Sequence, residues 1–451
     1  MQTFPAHARI ISRLLAALLV LLAAGVPRTG AEAPAPPIFD LTLGTSTAGR
    51  PITAVRIGTG PLKFVLVGDT HGGPEANTYQ LVVQLVDYFR AHPGEVPPEL
   101  SFYLIPTINP DGLANNSRFN AHGVDLNRNM DTADDSCPEN DWRHVVSGAY
   151  GVVSPTGGPY PESEVESRLI RDFLLDANGV IFFHSNAGVV FPACGHPASK
   201  LLAQVFADGA GYQFIPVWNR YPITGGMHDW AGGMGIAAVT PELVTGDQPE
   251  FKQNLAGVQA VLKQAGGLLP PAVEHSINGV PVQAVIWRAW RAWGAERIWG
   301  SPVEAPVADG RGGWSQLFEN GLLQYHPNQS ATTGVVQVGL LGRAWLGTRT
   351  VAPETPSTDQ FFPETHHAIG GIFEQFWNVY GGGPIFGLPL TGEERSTDES
   401  GNPIITQTFE RAQLIRPAAS DSMAAIKLRP LGRWQWAQMD EHVPTAAVEA
   451  R

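Results

Sequence analysis

The residues best equipped for chemistry begin at His71, in the stretch VGDTHGGPEANT (67–78), where a histidine, two glycines, a proline and a glutamate follow an apolar run. Gly72 and Gly73 permit the positive backbone angles of a sharp turn. Pro74 suits the first position of a helix, which puts Glu75 in the first turn. Both side chains would then aim at one spot. A third candidate, His184, ends the apolar run GVIFFHS. Two imidazoles, one carboxylate and an open position are the makings of a catalytic zinc site. Taken singly, each is ordinary: a loop histidine, a helix-capping glutamate, a histidine at the edge of a core. The segment NPDGLANNSRFNAHGVDLNRNMD (109–131) crowds arginines, asparagines and aspartates together, and arginine's rigid fork suits bidentate capture of a carboxylate. YPITGGMHDW (221–230) sets a tyrosine ahead of a glycine turn, and VTPEL closes an apolar run at Glu242.

Such far-apart residues need a frame. From about residue 52 to 265, ITAVRIG, FVLVGD, LSFYLIPT, GVIFFHS and GIAAVTPEL read as strands. ANTYQLVVQLVDYFRAH, ESEVESRLIRDFLLD, SKLLAQVFA and EFKQNLAGVQAVLKQ between them read as helices. Nearly continuous apolar strands alternating with helices predict an α/β fold, a mostly parallel (mixed) sheet flanked by helices. Sites in such sheets lie beyond the carboxyl ends of the strands, where FVLVGD, GVIFFHS and GIAAVTPEL would deliver His71, His184 and Glu242.

The ordered set resembles the zinc metallocarboxypeptidases of the carboxypeptidase A type. The likeness runs through His71, Glu75, NPDG, Arg118, GVDLNRN, PESE (161–164), His184-Ser185, Tyr221, Gly225-Gly226, Asp229-Trp230 and TPEL, covering roughly residues 40 to 268. The resemblance implies that His71, Glu75 and His184 hold one zinc ion. It implies Glu242 as general base and Arg118 as stabiliser of the oxyanion. Asn127 and Arg128 would grip a peptide's free terminal carboxylate, and Tyr221 would close over it. His228, in the position that lines the side-chain pocket of relatives, would favour an acidic or polar terminal residue, or else face solvent. One departure stands out: relatives have two residues between the first histidine and the glutamate, and here there are three, Gly72, Gly73 and Pro74. If the glycines did not absorb the extra residue, Asp69 would be the fallback carboxylate.

Composition bounds the rest. A formal net charge of −13 disfavours binding to nucleic acid or anionic lipid. Arg9 and Arg13 ahead of LLAALLVLLAAGV, with Ala31-Glu32-Ala33 following, fit a signal peptide over 1–33, hence a secreted or extracytoplasmic protein with no membrane span after cleavage. In an oxidising compartment Cys137 and Cys194 could pair; the alternative is two separate thiols.

GGLLPPAVEHS (266–276) breaks the alternation, so a catalytic domain over 34–268 is expected, followed by an α+β repeat region. Its two units, 277–350 and 361–438, align through residues 87 positions apart: Trp290 and Trp377, Gly294 and Gly381, Gly300 and Gly387. They bear a short likeness to wall-associated repeats with Leu-Gly-Phe-Pro-like motifs, through Phe386-Gly387-Leu388-Pro389 and Trp299-Gly300-Ser301-Pro302, which suggests cell-wall glycan or envelope contact. Trp287, Trp290, Trp293 and Trp299 read either as a core stripe or as an aromatic platform for glycans. The leading expectation is a secreted zinc carboxypeptidase. A murein peptide amidase and a non-catalytic adhesion protein are the alternatives, and the presence of both Arg118 and Glu242 weighs against the latter.

Overall fold

A computed structural model describes residues 35–148, 152–327, 334–356 and 359–440, so the signal-peptide segment lies outside the described residues. Nine strands make the central sheet: β1 (Ile38–Thr45), β2 (Pro51–Ile57), β3 (Leu62–Val67), β4 (Leu100–Ile105), β5 (Gly179–Phe182), β6 (His184–Ser185), β7 (Val189–Pro192), β8 (Gln213–Phe214) and β9 (Ala237–Leu243). Their order is β1-β2-β4-β3-β5-β9-β7-β8, with β6 pairing β9. The centre, β4-β3-β5-β9, is parallel, whereas β1, β2 and the β9–β7 pairing are antiparallel. The expected mostly parallel mixed sheet is therefore present, with two margins that apolar runs alone did not announce.

Both faces are covered. Phe64 and Leu66 of β3 pack with α1 (Ala76–Ala91), α3 (Pro197–Ala210) and α5 (Phe251–Leu262), while Val65 and Val67 pack on the other face with α2 (Val165–Leu174) and α4 (Met227–Gly233). This alternation explains why β3 reads as one unbroken apolar run: a strand buried on both sides has no solvent face to mark. Cys137 and Cys194 are disulfide-bonded across 57 positions, a closure that adds about 4 kcal/mol on chain-entropy grounds.

The C-terminal region packs on the unit that carries the central sheet. Arg288 on α6 (Ala284–Ala292), only 4% exposed, donates to the carbonyls of Leu175, Ala177, Met234 and Gly235. Those carbonyls precede β5 and β9, so the tail sits at the amino ends of the strands whose carboxyl ends carry His184 and Glu242. Two matching bonds occur in it: Trp290 Nε1 donates to Gly300 O at 3.0 Å and Trp377 Nε1 to Gly387 O at 3.1 Å. Yet the two units are not separate beads. The last helix of the first, α7 (Leu341–Leu346), places Arg343 on Glu410 of the second; the last helix of the second, α8 (Leu431–Asp440), places Arg433 on Glu319 of the first. They share one core, in which Trp290, Trp293 and Trp299 are buried and Trp287 is half-buried, stacked on His275. Of the two readings of these tryptophans, the core stripe holds. No helix among the described residues is long and apolar enough to cross a membrane.

Candidate metal centre and active site

Strand order assembles the site. β3, β5 and β9 are neighbours, so His71 four residues past β3, His184 just past β5 and Glu242 near the end of β9 arrive at the same rim. Glu242 lies directly opposite His184 in the β6–β9 register. The extra residue after His71 is absorbed by the turn. Gly72 has φ 54, and a Cβ there would sit 2.2 Å from Ser117 O; a Cβ on Gly73 would sit 2.2 Å from Asn116 Oδ1. Gly73–Glu75 form a single tight turn before α1, and Glu75 points inward, buried.

His71 Nδ1 lies 2.7 Å from Glu75 Oε1, His184 Nδ1 lies 3.1 Å from Glu75 Oε2, and the two Nδ1 atoms are 3.1 Å apart. Asp69 stays out of this cluster: Thr107 donates to its Oδ2 at 2.6 Å, and no fallback is needed. The electrostatics favour a cation. Burial pushes the His184 imidazolium down to about 4, so the ring is neutral with a lone pair to offer. Burial works against ionising Glu75, but the flanking imidazoles hold its carboxyl well below the usual range. Spacings of 2.7–3.1 Å between such atoms approach the ~3.3 Å edge of a tetrahedron drawn at zinc–nitrogen distance. Two ring nitrogens and a carboxylate converging within 3.1 Å of one another fit a bound zinc ion.

Asp125 was not singled out in the sequence beyond its place in GVDLNRN. Its Oδ1 meets His71 Nε2 at 3.1 Å and its Oδ2 accepts from Arg118 Nε at 2.9 Å. A carboxylate on the far nitrogen of a metal-binding histidine fixes the ring's tautomer and orientation; no spacing rule in the sequence reveals it. Arg118 also places Nη1 3.3 Å from Glu75 and Nη2 2.9 Å from His71 Nε2, which leaves it a cation at the edge of the cluster with a third of its side chain exposed.

A cleft of about 500 Å³ opens above the cluster and takes in Asn127, Arg128, Tyr221 and Glu242. Arg128 is 2% exposed, yet its guanidinium has only the Asn127 carbonyl as partner, its Nε is unsatisfied, and no carboxylate of the described residues lies within 4.0 Å of it. Asp125 offsets the charge only from beyond contact distance, and a buried cation without a contacting anion is costly unless a ligand supplies one. The Tyr221 ring lies 6.0 Å from the Arg128 guanidinium carbon. Glu242 is half-buried; burial, reinforced by the Glu75 charge, pushes its carboxyl up to about 8. Asn127 Oδ1 accepts from Met227 N at 2.9 Å, tying this loop to α4. His228 is buried outside the cleft proper, against Phe191, so it does not face solvent.

Residues 36–203 match the model of the zinc carboxypeptidase family. A carboxypeptidase B of Astacus astacus is 27% identical over 237 residues, 43% of this chain and 74% of that protein. Mast cell carboxypeptidase A of Rattus norvegicus is 26% identical over 170 residues, 30% of this chain and 39% of that protein, so the chain spans well under half of it. Among solved structures, bovine thrombin-activatable fibrinolysis inhibitor superposes with a TM-score of 0.43 at 18% identity, over 56% of this chain and 96% of that one. The family match includes His71, Glu75, Arg118, Asn127, Arg128 and His184; Tyr221, His228 and Glu242 lie beyond it.

Proposed function

We propose that this chain is a secreted zinc-dependent carboxypeptidase that hydrolyses the C-terminal peptide bond of peptides. The observation that carries the reading is the buried Arg128 with no carboxylate in contact, in the same cleft as the His71–Glu75–His184 cluster. A binding protein has no use for both Arg118 at the cluster's edge and the Glu242 carboxyl in the same cleft.

Arg128 and Asn127 receive the substrate's terminal carboxylate, which restores the charge balance that burial denies Arg128. Tyr221, whose hydroxyl has no partner among the described residues, covers the bound end. Zinc held by His71, Glu75 and His184 supplies a Lewis acid and lowers the pKa of water toward ~7. Glu242 takes the proton of the attacking water and returns it to the leaving amine. In the metal-free chain burial keeps the Glu242 carboxyl protonated near neutral pH; a cation at the neighbouring cluster favours the carboxylate that a base requires. Arg118 presents its guanidinium to the developing oxyanion, the kind of preorganised charge worth a few kcal/mol of barrier (~2.7–4). Asp125 keeps His71 aimed.

The test uses the zinc-loaded chain on blocked peptides that differ only in a free or amidated C-terminus. Release of a single terminal residue from the free acid alone is expected. Equal cleavage of the amide rules out the exopeptidase reading, and turnover confined to diaminopimelate-containing wall peptides moves the activity to the amidase.

A further inference from the structure

A second cavity, of about 390 Å³, shares no lining residue with the active cleft. Leu169 and Phe173 of α2, Trp293, Val336, Pro384 and Arg411 all line it, so it exists only where the sheet-bearing unit meets both later units. Pockets that hold small organic ligands span roughly 300–1,000 Å³ and favour such junctions. Its walls are mainly apolar, and Phe173, Leu175, Trp293 and Val338 are at most 8% exposed.

Two charged residues line this surface, in opposite conditions. Asp172 is fully engaged: Arg171 donates Nε to Oδ1 at 2.8 Å and Nη2 to Oδ2 at 3.2 Å, and Trp293 Nε1 donates to Oδ1 at 2.9 Å. Arg411 is not. Its Nη1 donates to Val338 O, its Nε is buried without a partner, and no carboxylate of the described residues lies within 4.0 Å of its guanidinium. Glu410 offsets the charge only from beyond contact distance, because Arg343 Nη2 holds that carboxylate at 2.6 Å. Burial works against the guanidinium's charge. The turn that carries Arg411 does not itself call for an arginine. Arg411 N donates to Phe386 O at 2.9 Å; in the comparable hairpin of the preceding unit, Asn320 N donates to Trp299 O at 3.0 Å and its short side chain bonds Ile298 O. The longer side chain at 411 is what reaches the cavity.

We propose that this cavity binds a small organic carboxylate with an aliphatic body, its carboxylate paired with Arg411 and its chain laid along the apolar wall. Arg411 is the only cation among the described lining residues, which matches one negative charge; a phosphate monoester carries up to about two. The guanidinium fork fits a carboxylate edge, and Gln337 adds an amide donor to the lining. An amine-bearing ligand finds Asp172 already taken and meets Arg411 as a like charge. An uncharged one leaves Arg411 without a contacting anion.

The full chain is titrated calorimetrically with octanoate, acetate, octylamine and octanol. One octanoate per chain is expected, bound at least tenfold more tightly than the other three. Arg411→Gln should weaken octanoate at least tenfold. Because Arg128 also attracts carboxylates, the titration is repeated on Arg128→Gln, where octanoate affinity should stay within twofold of the unaltered chain's. No saturable octanoate binding, octylamine bound as tightly, or an affinity unmoved by Arg411→Gln overturns the proposal; a loss in Arg128→Gln alone places the carboxylate in the active cleft instead. If Arg411→Gln does not fold, anomalous diffraction from crystals of the unaltered chain soaked in ω-bromooctanoate decides. A bromine peak among Leu169, Trp293 and Val338 supports the site, and a peak elsewhere or none overturns it.

Discussion

Glu75 serves two imidazoles at once, at 2.7 and 3.1 Å, and also accepts from Ser185 N. Because that carboxylate joins the two rings, Glu75→Gln should drop bound zinc from one ion per chain to a small fraction, read by elemental analysis; unchanged stoichiometry would remove Glu75 from the ligand set. Glu242→Gln separates binding from chemistry. It should keep zinc yet lower kcat by at least ~100-fold, the scale of a lost general base, and retained turnover would deny it that role. Asp125→Asn should weaken zinc affinity about 10- to 100-fold in chelator competition, since the far nitrogen of His71 loses its anchor. The three residues proposed as metal ligands could be picked out because chemistry restricts such ligands to a few residue types at strand ends. Asp125 could not, because its position against His71 depends on a contact across 54 positions.

Among elements, the tight turn between β3 and α1 decides whether the cluster exists. Gly72→Ala introduces a Cβ into Ser117 O on a left-handed backbone, so Glu75 should be displaced and zinc lost in a protein that otherwise folds, as judged by circular dichroism beside the zinc assay. A second element-scale effect concerns Glu162, which pins α2 through Arg171 Nη1 at 2.5 Å. Burial, opposed by Arg171, pushes its carboxyl up to about 7 from an ordinary 4.5. A raised folded-state value means its stabilisation is complete below pH 4.5 and disappears as pH climbs through 7. Thermal unfolding should therefore show a Tm that falls from pH 5 to 8, and Glu162→Gln should flatten the fall by an amount on the order of 1–3 kcal/mol. Identical slopes would contradict the burial argument. The long helices and doubly buried strands were readable from periodicity. The β7 and β8 margin was not: Val189–Pro192 is a short run whose antiparallel partner, β9, lies far along the chain.

For the whole molecule, the tail and the cleft occupy opposite ends of the central strands. Arg288→Ala removes the donors of four carbonyls and should cost about 2–4 kcal/mol of stability, measured in denaturant, with kcat/KM on small peptides unchanged. A loss of activity at full folding would mean that the tail acts on the site. Leu175 of the catalytic unit belongs to the tail's core, so truncation after residue 276 is expected to lower Tm as well. The 87-residue periodicity led to the expectation of two units, and it did not foretell that Arg343 and Arg433 pair with Glu410 and Glu319 across them. All of this organisation serves one claim, that three side chains from distant segments hold a single divalent ion beside a guanidinium awaiting a carboxylate. Anomalous diffraction from zinc-soaked crystals at the zinc edge addresses it without recourse to activity. One strong peak is expected within coordination reach of His71 Nδ1, Glu75 and His184 Nδ1; a site without a peak, or a peak bound by other residues, would contradict the assignment.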